Sequence, residues 1–248
     1  MSPTNPSFSW LKLLGIELSP VSHRERLVSA LGGFVAILAV YWTSRLVLGP
    51  TASPIMVLSM GSTAAMLFAV PHGALSQPWP LLGGHLVSGL IGIACLLWIP
   101  DPMLAAAVAT GLALGAMHYL RCIHPPAGAT ALAAALGNET VKAMGFSFVV
   151  APLMLNVLII LAVAIAFNGL FPWRRYPAAL VRSTPAPASV GYAPISHEDF
   201  VYALSQLDSF IDVSEEDVMK IYGLATGRHR DLLAQAASDE PINLSGIS

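Results

Sequence analysis

Charge is what this sequence has least of. Only 10% of its 248 residues are Asp, Glu, Lys or Arg, 55% are hydrophobic, and the mean hydropathy is +0.69. A soluble domain of this length does not hide so much apolar surface, so the composition points to a polytopic membrane protein. The run from Leu46 to Pro100 has no charged side chain, and it is long enough for two spans of roughly 20 residues each. Cysteine is nearly absent: Cys95 and Cys122 lie in or at the ends of apolar runs, which indicates neither a disulfide framework nor a thiolate zinc site. The formal net charge of -2 gives no reason to expect a nucleic-acid partner. Paired carboxylates, a nucleophile with a nearby base and a phosphate loop are all missing, so the chain is expected to be no enzyme and to hold no cofactor. No carboxylate sits inside an apolar run either, which argues against a cation pump and is compatible with an anion or neutral solute.

What is present is a series of apolar segments divided by turn signals. They run from residue 27 to 48, 53 to 70, 80 to 99, 103 to 120, 125 to 136 and 145 to 171, with breaks at Gly49-Pro50, Pro71-His72-Gly73, Pro100-Asp101-Pro102, Pro125-Pro126 and Gly137-Asn138-Glu139. Each break has a mechanism in proline or glycine chemistry. The fifth segment is short, since a dozen residues rise only about 18 Å against a hydrocarbon core of roughly 30 Å. A first apolar run that begins at Leu27 after Arg24 and Arg26 reads as a retained span, not a cleaved leader.

Six crossings would place Lys12, Arg24, Arg26, Arg121, Arg174, Arg175 and Arg182 on one side, against Arg45 and Lys142 on the other. Seven against two is a positive-inside pattern. Both ends are accordingly expected in the cytoplasm of a bacterial cell with the spans in its inner membrane. The expected divisions are an N-terminal segment, 1–26, with an amphipathic piece around Trp10 to Ile16; a transmembrane domain, 27–173; a linker, 174–195; and an acidic helical tail, 196–248. Residues 197–240 hold ten acidic and three basic side chains, the remainder four and nine. Ser196-His197-Glu198-Asp199 and Ser214-Glu215-Glu216-Asp217 read as capping boxes opening two tail helices. So small a hairpin is expected to dock on the membrane domain or on a second subunit of a homo-oligomer, such as a dimer.

The segments group as three plus three. Gly61-Ser62-Thr63-Ala64-Ala65 in the second matches Gly128-Ala129-Thr130-Ala131-Leu132 in the fifth. A repeat of three spans must be inverted, so two small-residue helix starts would approach the bilayer middle from opposite sides. The fold expected is an all-α bundle with an inverted repeat and short or broken second and fifth helices.

The candidate site residues follow from that arrangement. Pro125 and Pro126 end one helix after His124 and start another, and the amides of Gly128, Ala129 and Thr130 would then point outward as an anion site. Gly61, Ser62 and Thr63 would do the same from the other side. His85 follows Gly83-Gly84 inside a long apolar span, where an imidazole must face the bundle interior or a cavity. Gln77, in the rigid Gln77-Pro78-Trp79-Pro80 loop, would gate; Asn156, alone in the last span, would line the pathway or bond between helices. Gly84 to Ser88 and Gly111 to Gly115 offer small faces for close helix contact.

These residues resemble a known family. His124-Pro125-Pro126-Ala127-Gly128-Ala129-Thr130, the Gly61 to Phe68 stretch, Leu75 to Pro80 and Gly83-Gly84-His85 are similar to the HPP family of integral membrane proteins. The resemblance covers Leu27 to Phe171 and implies a transporter, with nitrite uptake attributed to some members. Trp79 stands where an arginine is common in the family, and Ser62-Thr63 replaces a more usual Ala-Ser. The reading that follows is transport of a small anion, nitrite first, with His85 and His124 tuning charge. A second class is a haem- or metal-binding redox or sensor protein built on His85, His118 and His124, whose spacing matches no standard ligand set. A third is a membrane scaffold in which the acidic tail is the active part.

Overall fold

The structure, a computed structural model, describes residues 22–180 and Tyr222, and for residues 47–58 the backbone only. The amphipathic piece at 10–16, most of the linker and both tail capping boxes lie outside the described residues. The described chain is helical: α1 His23–Ala69, α2 Pro78–Trp98, α3 Pro102–Tyr119, α4 Pro125–Ala135, α5 Glu139–Met144 and α6 Leu155–Gly169, the last preceded by a wide turn at Val149–Met154. Helix starts follow the breaks read from the sequence. Pro78, Pro102 and Pro125 open α2, α3 and α4 where a missing amide costs nothing. Ser22, Asp101 and Asn138 accept the Glu25, Leu104 and Val141 amides at 3.2, 2.7 and 3.1 Å.

Boundaries differ at two places. The last segment, expected from residue 145, is interrupted at Val149–Met154, where Ala151 leaves helical angles ahead of Pro152, so that α6 begins at Leu155. The break expected at Gly49-Pro50 is absent from the helical assignment of α1, which continues through it. The chain still reverses there. Gly32 packs against the Phe68 ring, whereas 36 residues of straight helix would separate them by about 54 Å. α1 is therefore two antiparallel arms, residues 23–46 and 59–69, with the reversal inside residues 47–58, which contain Pro50 and Pro54.

A buried arginine ties the two ends of the domain together. Arg174, just past α6, donates to the Glu25 carboxylate, to Ser29 Oγ at 3.0 Å, to the Phe68 carbonyl at 2.5 Å and to Asn168 Oδ1 at 3.1 Å. Trp173 Nε1 also donates to Glu25, at 2.9 Å, and the Arg24 guanidinium lies 4.1 Å above the Trp173 ring. Burial lowers the Arg174 pKa, and the adjacent Glu25 charge opposes that shift.

Because Glu25 and Arg174 meet, the chain crosses an even number of times between them. The first arm of α1 leaves this face and the second returns to it. α2 leaves again, since Tyr176 donates to the Ser76 carbonyl at 2.7 Å and Gln77 Oε1 accepts from Ala178 at 3.0 Å. α3 returns: Trp79 Nε1 donates to the Leu120 carbonyl at 3.2 Å. α4 runs parallel to α2, and α6 closes the circuit. A dipping fifth segment would leave Glu25 and Arg174 on opposite faces. Residues 23–46, 78–98, 102–119 and 149–169 are each long and apolar enough to cross a membrane; the second arm of α1 and α4 are the short elements. These two run in opposite directions, as an inverted pair requires. Phe34, Leu112 and Leu158 remain exposed, consistent with a lipid-facing surface.

Two predictions arise here. Glu25→Gln leaves the buried guanidinium without its counter-charge and should lower stability by about 3 kcal/mol, measured by denaturant titration in detergent; a loss near zero would deny Arg174 its holding role. Tyr176 is buried, and burial raises its pKa. An unfolded phenol ionises near pH 10 while the folded one stays protonated, so stability is full below about pH 10 and falls as pH rises above it. Thermal unfolding from about pH 8 to about pH 11 should show that slope, and Tyr176→Phe should flatten it.

Candidate functional site

A polar cluster lies in the interior where the second arm of α1, α2 and α4 meet. Four fully or almost fully buried side chains build it: Thr63, His85, His124 and Thr130. His85 Nε2 lies 3.0 Å from Thr63 Oγ1, and its Nδ1 lies 2.8 Å from Thr130 Oγ1. His124 Nε2 is 3.4 Å from the same Thr63 hydroxyl, and its Nδ1 is 2.9 Å from the Leu75 carbonyl. The two rings meet edge to face with centroids 5.1 Å apart. Thr63 Oγ1 also lies 3.2 Å from the Ser59 carbonyl one turn back.

One partner sets the direction of the chain. A carbonyl only accepts, so His124 Nδ1 carries the proton given to Leu75, and neutral His124 presents a lone pair at Nε2. Thr63 then donates to His124, His85 Nε2–H donates to Thr63, and Thr130 donates to His85 Nδ1. Every nitrogen and hydroxyl of the four side chains is used.

Local sequence explains how the backbones come this close. Cβ atoms at Gly83 and Gly84 would fall 2.9 Å from the Cβ atoms of Cys122 and His124 respectively, and the one at Gly84 also 3.1 Å from the Cys122 carbonyl. At Gly92 the added carbon would lie 2.6 Å from Ala134 Cβ and 2.7 Å from the Ala131 carbonyl. Gly84, Ser88 and Gly92 thus form a small face that seats α4 against α2. The turn into α4 is also built. Arg121 takes φ 53°, Cys122 N–H reaches the Met117 carbonyl at 3.0 Å and Arg121 N–H reaches His118 at 3.2 Å. This is a Schellman closure with arginine in the position that favours glycine.

The structure gathers only part of the residues the sequence singles out. Thr63, His85, His124 and Thr130 come together; Gly61, Ser62, Pro125 and Ala129 are exposed, and Pro126 is buried in the start of α4. The expectation of anion-binding amides is corrected. Gly61 to Thr63 lie inside α1 and not at a helix start, so their amides belong to the helix ladder. At α4 the first two positions are prolines with no amide, Ala127 N–H bonds the His124 carbonyl at 2.8 Å, and Gly128 onward sit deep enough to bond within the helix. The proline pair removes the very donors that an anion would use.

Gln77 lies outside the cluster and donates to the Pro71 and Gly73 carbonyls at 3.1 and 3.0 Å. Asn156 donates to Ser44 at 2.7 Å, an interhelical bond and no part of the cluster. His118 is exposed near the end of α3 while His85 and His124 are buried, and among the described residues no three His, Cys, Asp or Glu side chains are grouped to hold a metal ion. Gly111 and Gly115 pack nothing within 4 Å among the described residues.

The family model for the HPP transmembrane region matches residues 18–177. The chain belongs to the HPP family. It is a multi-pass membrane protein. A transmembrane protein of Dictyostelium discoideum is 32% identical to this HPP chain over 127 residues, 50% of the chain and 44% of that protein. A second transmembrane protein of the same organism is 31% identical over 172 residues, 67% of the chain and 55% of that protein. The chain spans about half the length of the curated relatives it matches. No solved structure matches it.

The packing of this HPP domain predicts opposite outcomes at two glycines. Gly84→Ala drives α4 away from α2 and should cost about 1–3 kcal/mol. Gly128→Ala adds a carbon where nothing lies within 4 Å among the described residues, and should leave stability unchanged or raised, since alanine favours helix. Thermal unfolding in detergent compares them; equal losses would refute the α2–α4 contact.

Proposed function

We propose that this protein moves a small anion across the membrane, nitrite being the first candidate, with both ends of the spanning domain in the cytoplasm of a bacterial cell. The observation that supports it is the Thr63–His85–Thr130–His124 cluster. Four hydrogen-bonding side chains from three helices converge in a bundle whose interior is otherwise mainly apolar. Polar groups at such a place are costly to bury and mark substrate paths in membrane proteins. The ligand class follows from the donors. An anion binds here by displacing bonds within the cluster: parting Thr63 from the two rings frees the His85 Nε2–H and the Thr63 hydroxyl as donors, and no carboxylate is present in the cluster to attract a cation.

The site therefore shifts from main-chain amides to side chains. Ser88, one turn beyond His85, adds a buried hydroxyl with no hydrogen-bond partner among the described residues. The orientation rests on the seven-to-two distribution of basic side chains. The resemblance of the HPP motif to family members credited with nitrite uptake supports the choice of substrate.

The test is nitrite uptake into proteoliposomes. Thr130→Val and His85→Ala should each lower protein-dependent flux by about tenfold or more, the loss expected when one hydrogen bond to a charged ligand disappears. Thr110→Val, at a hydroxyl that bonds the Ala106 carbonyl of its own helix at 2.9 Å, should leave flux unchanged. Equal flux in all four proteins would refute the site. Absence of protein-dependent nitrite flux in the parent protein would refute the choice of substrate.

A further inference from the structure

The cluster has a property that anion binding alone does not require. Thr63 Oγ1 has three neighbours: His85 Nε2 at 3.0 Å and His124 Nε2 at 3.4 Å, which donate or accept according to protonation, and the Ser59 carbonyl at 3.2 Å, which only accepts. In the neutral arrangement Thr63 donates to His124 and accepts from His85. If His124 Nε2 gains a proton, it becomes a donor. Thr63 then turns its hydroxyl hydrogen to Ser59 and accepts from both imidazoles through its two lone pairs. His124 Nδ1 keeps its bond to Leu75, and His85 Nδ1 keeps its bond to Thr130. Both protonation states are fully hydrogen-bonded by the same heavy-atom positions.

We infer that the Thr63-bridged histidine pair carries one proton with each anion, making the protein an electroneutral proton–anion symporter. The inference rests on the anion-transport reading above. The proton enters from the aqueous phase with the anion, forms an N–H bond at His124 Nε2 beside it, and leaves with it on the far side as that N–H bond breaks; no bond between heavy atoms forms or breaks.

The surroundings favour this coupling. From the second arm of α1 Thr63 bonds both rings, with the Ser59 carbonyl behind it at 3.2 Å. The turn at Ala74–Ser76 presents the Leu75 carbonyl, α4 presents Thr130, and α2 presents His85 itself. The Cys122 thiol lies beside Gly83. Among the described residues no Asp, Glu, Lys or Arg hydrogen-bonds or ion-pairs with either ring, and the Arg174–Glu25 pair sits at the face of the domain. An anion entering this site has no fixed cation to meet. A proton on the bridge supplies the compensating charge, and by linkage the bound anion raises the affinity for that proton.

Proteoliposomes containing the full chain test it with nitrite and nitrate in parallel, protein-free vesicles being subtracted to remove passive permeation of the free acid. A gradient of one pH unit, acid outside, should drive about tenfold accumulation of the anion. A potassium–valinomycin potential should change nothing, because no net charge moves. Thr63→Val should abolish the response to pH, and Thr63→Ser should restore it.

A second readout does not require flux. In protein with nitrogen-15 histidine, saturating nitrite or nitrate at fixed pH should convert one neutral imidazole to imidazolium. Anion uptake that follows the potential and ignores the pH gradient would overturn the coupling and leave the transport reading intact. Two imidazoles that stay neutral at saturation would overturn it as well. Absence of both flux and imidazole response would overturn coupling and transport together.

Discussion

The two nitrogens of one imidazole impose the constraint on which this bundle depends. His85 is fully buried on α2, and each ring nitrogen left without a partner there would cost on the order of 1–3 kcal/mol. Its partners come from two other helices, Thr63 on the second arm of α1 and Thr130 on α4. Satisfying both fixes the rotation of all three helices at once. It also explains the glycines: Thr130 reaches His85 only if α4 lies nearly in backbone contact with α2, and the positions at Gly84 and Gly92 allow that approach. Between helices in lipid there is little hydrophobic drive, so small faces and polar bonds carry the association.

Other buried polar groups follow the same rule at other places in the bundle. Asn156 joins α6 to Ser44 in the first arm of α1, and Asn168 joins it to the Leu67 carbonyl in the second. Arg174 then closes the face by bonding both ends of α1. These contacts hold α6 along the α1 hairpin. The His85 cluster holds α1, α2 and α4. The second arm of α1 belongs to both sets, which links the end closure to the polar centre through one short helix.

Much of this was legible in the sequence. Proline and glycine chemistry located nearly every helix boundary, because a missing amide or a forced backbone angle acts locally. The correspondence of Gly61-Ser62-Thr63 with Gly128-Ala129-Thr130 pointed to the right pair of helices, and its two threonines are the residues that grip His85. The inference from that pair to free amides failed for a local reason: α1 does not start at Gly61, and two prolines leave α4 few donors to offer. In the sequence Arg174 is one basic flank among several, since nothing local marks a pairing with Glu25, 149 positions away. The Leu75 carbonyl was invisible for a different reason. A main-chain acceptor has no residue type, and only the folded turn at Ala74–Ser76 shows that it sets the tautomer of His124.

The two halves of the cluster are not mechanically equivalent. The His85–Thr130 bond lies within the α2–α4 pair, whose backbones meet at Gly84 and Gly92 with no room for an added methyl group. Packed surfaces of that kind move as a unit, because separating them exposes carbonyls and loses dispersion contacts together. The His85–Thr63 and His124–Thr63 contacts join that unit to the second arm of α1, and the longer of them is 3.4 Å. Thr63 also has the Ser59 carbonyl of its own helix as a substitute acceptor. Parting at this boundary leaves its hydroxyl satisfied, whereas parting at Thr130 would break a 2.8 Å bond inside a close-packed face. Parting at the seam between Thr63 and the two histidines keeps the Thr63 hydroxyl bonded and the α2–α4 packing intact, while it frees His85 Nε2 and His124 Nε2, each of which then needs a partner in whatever enters there.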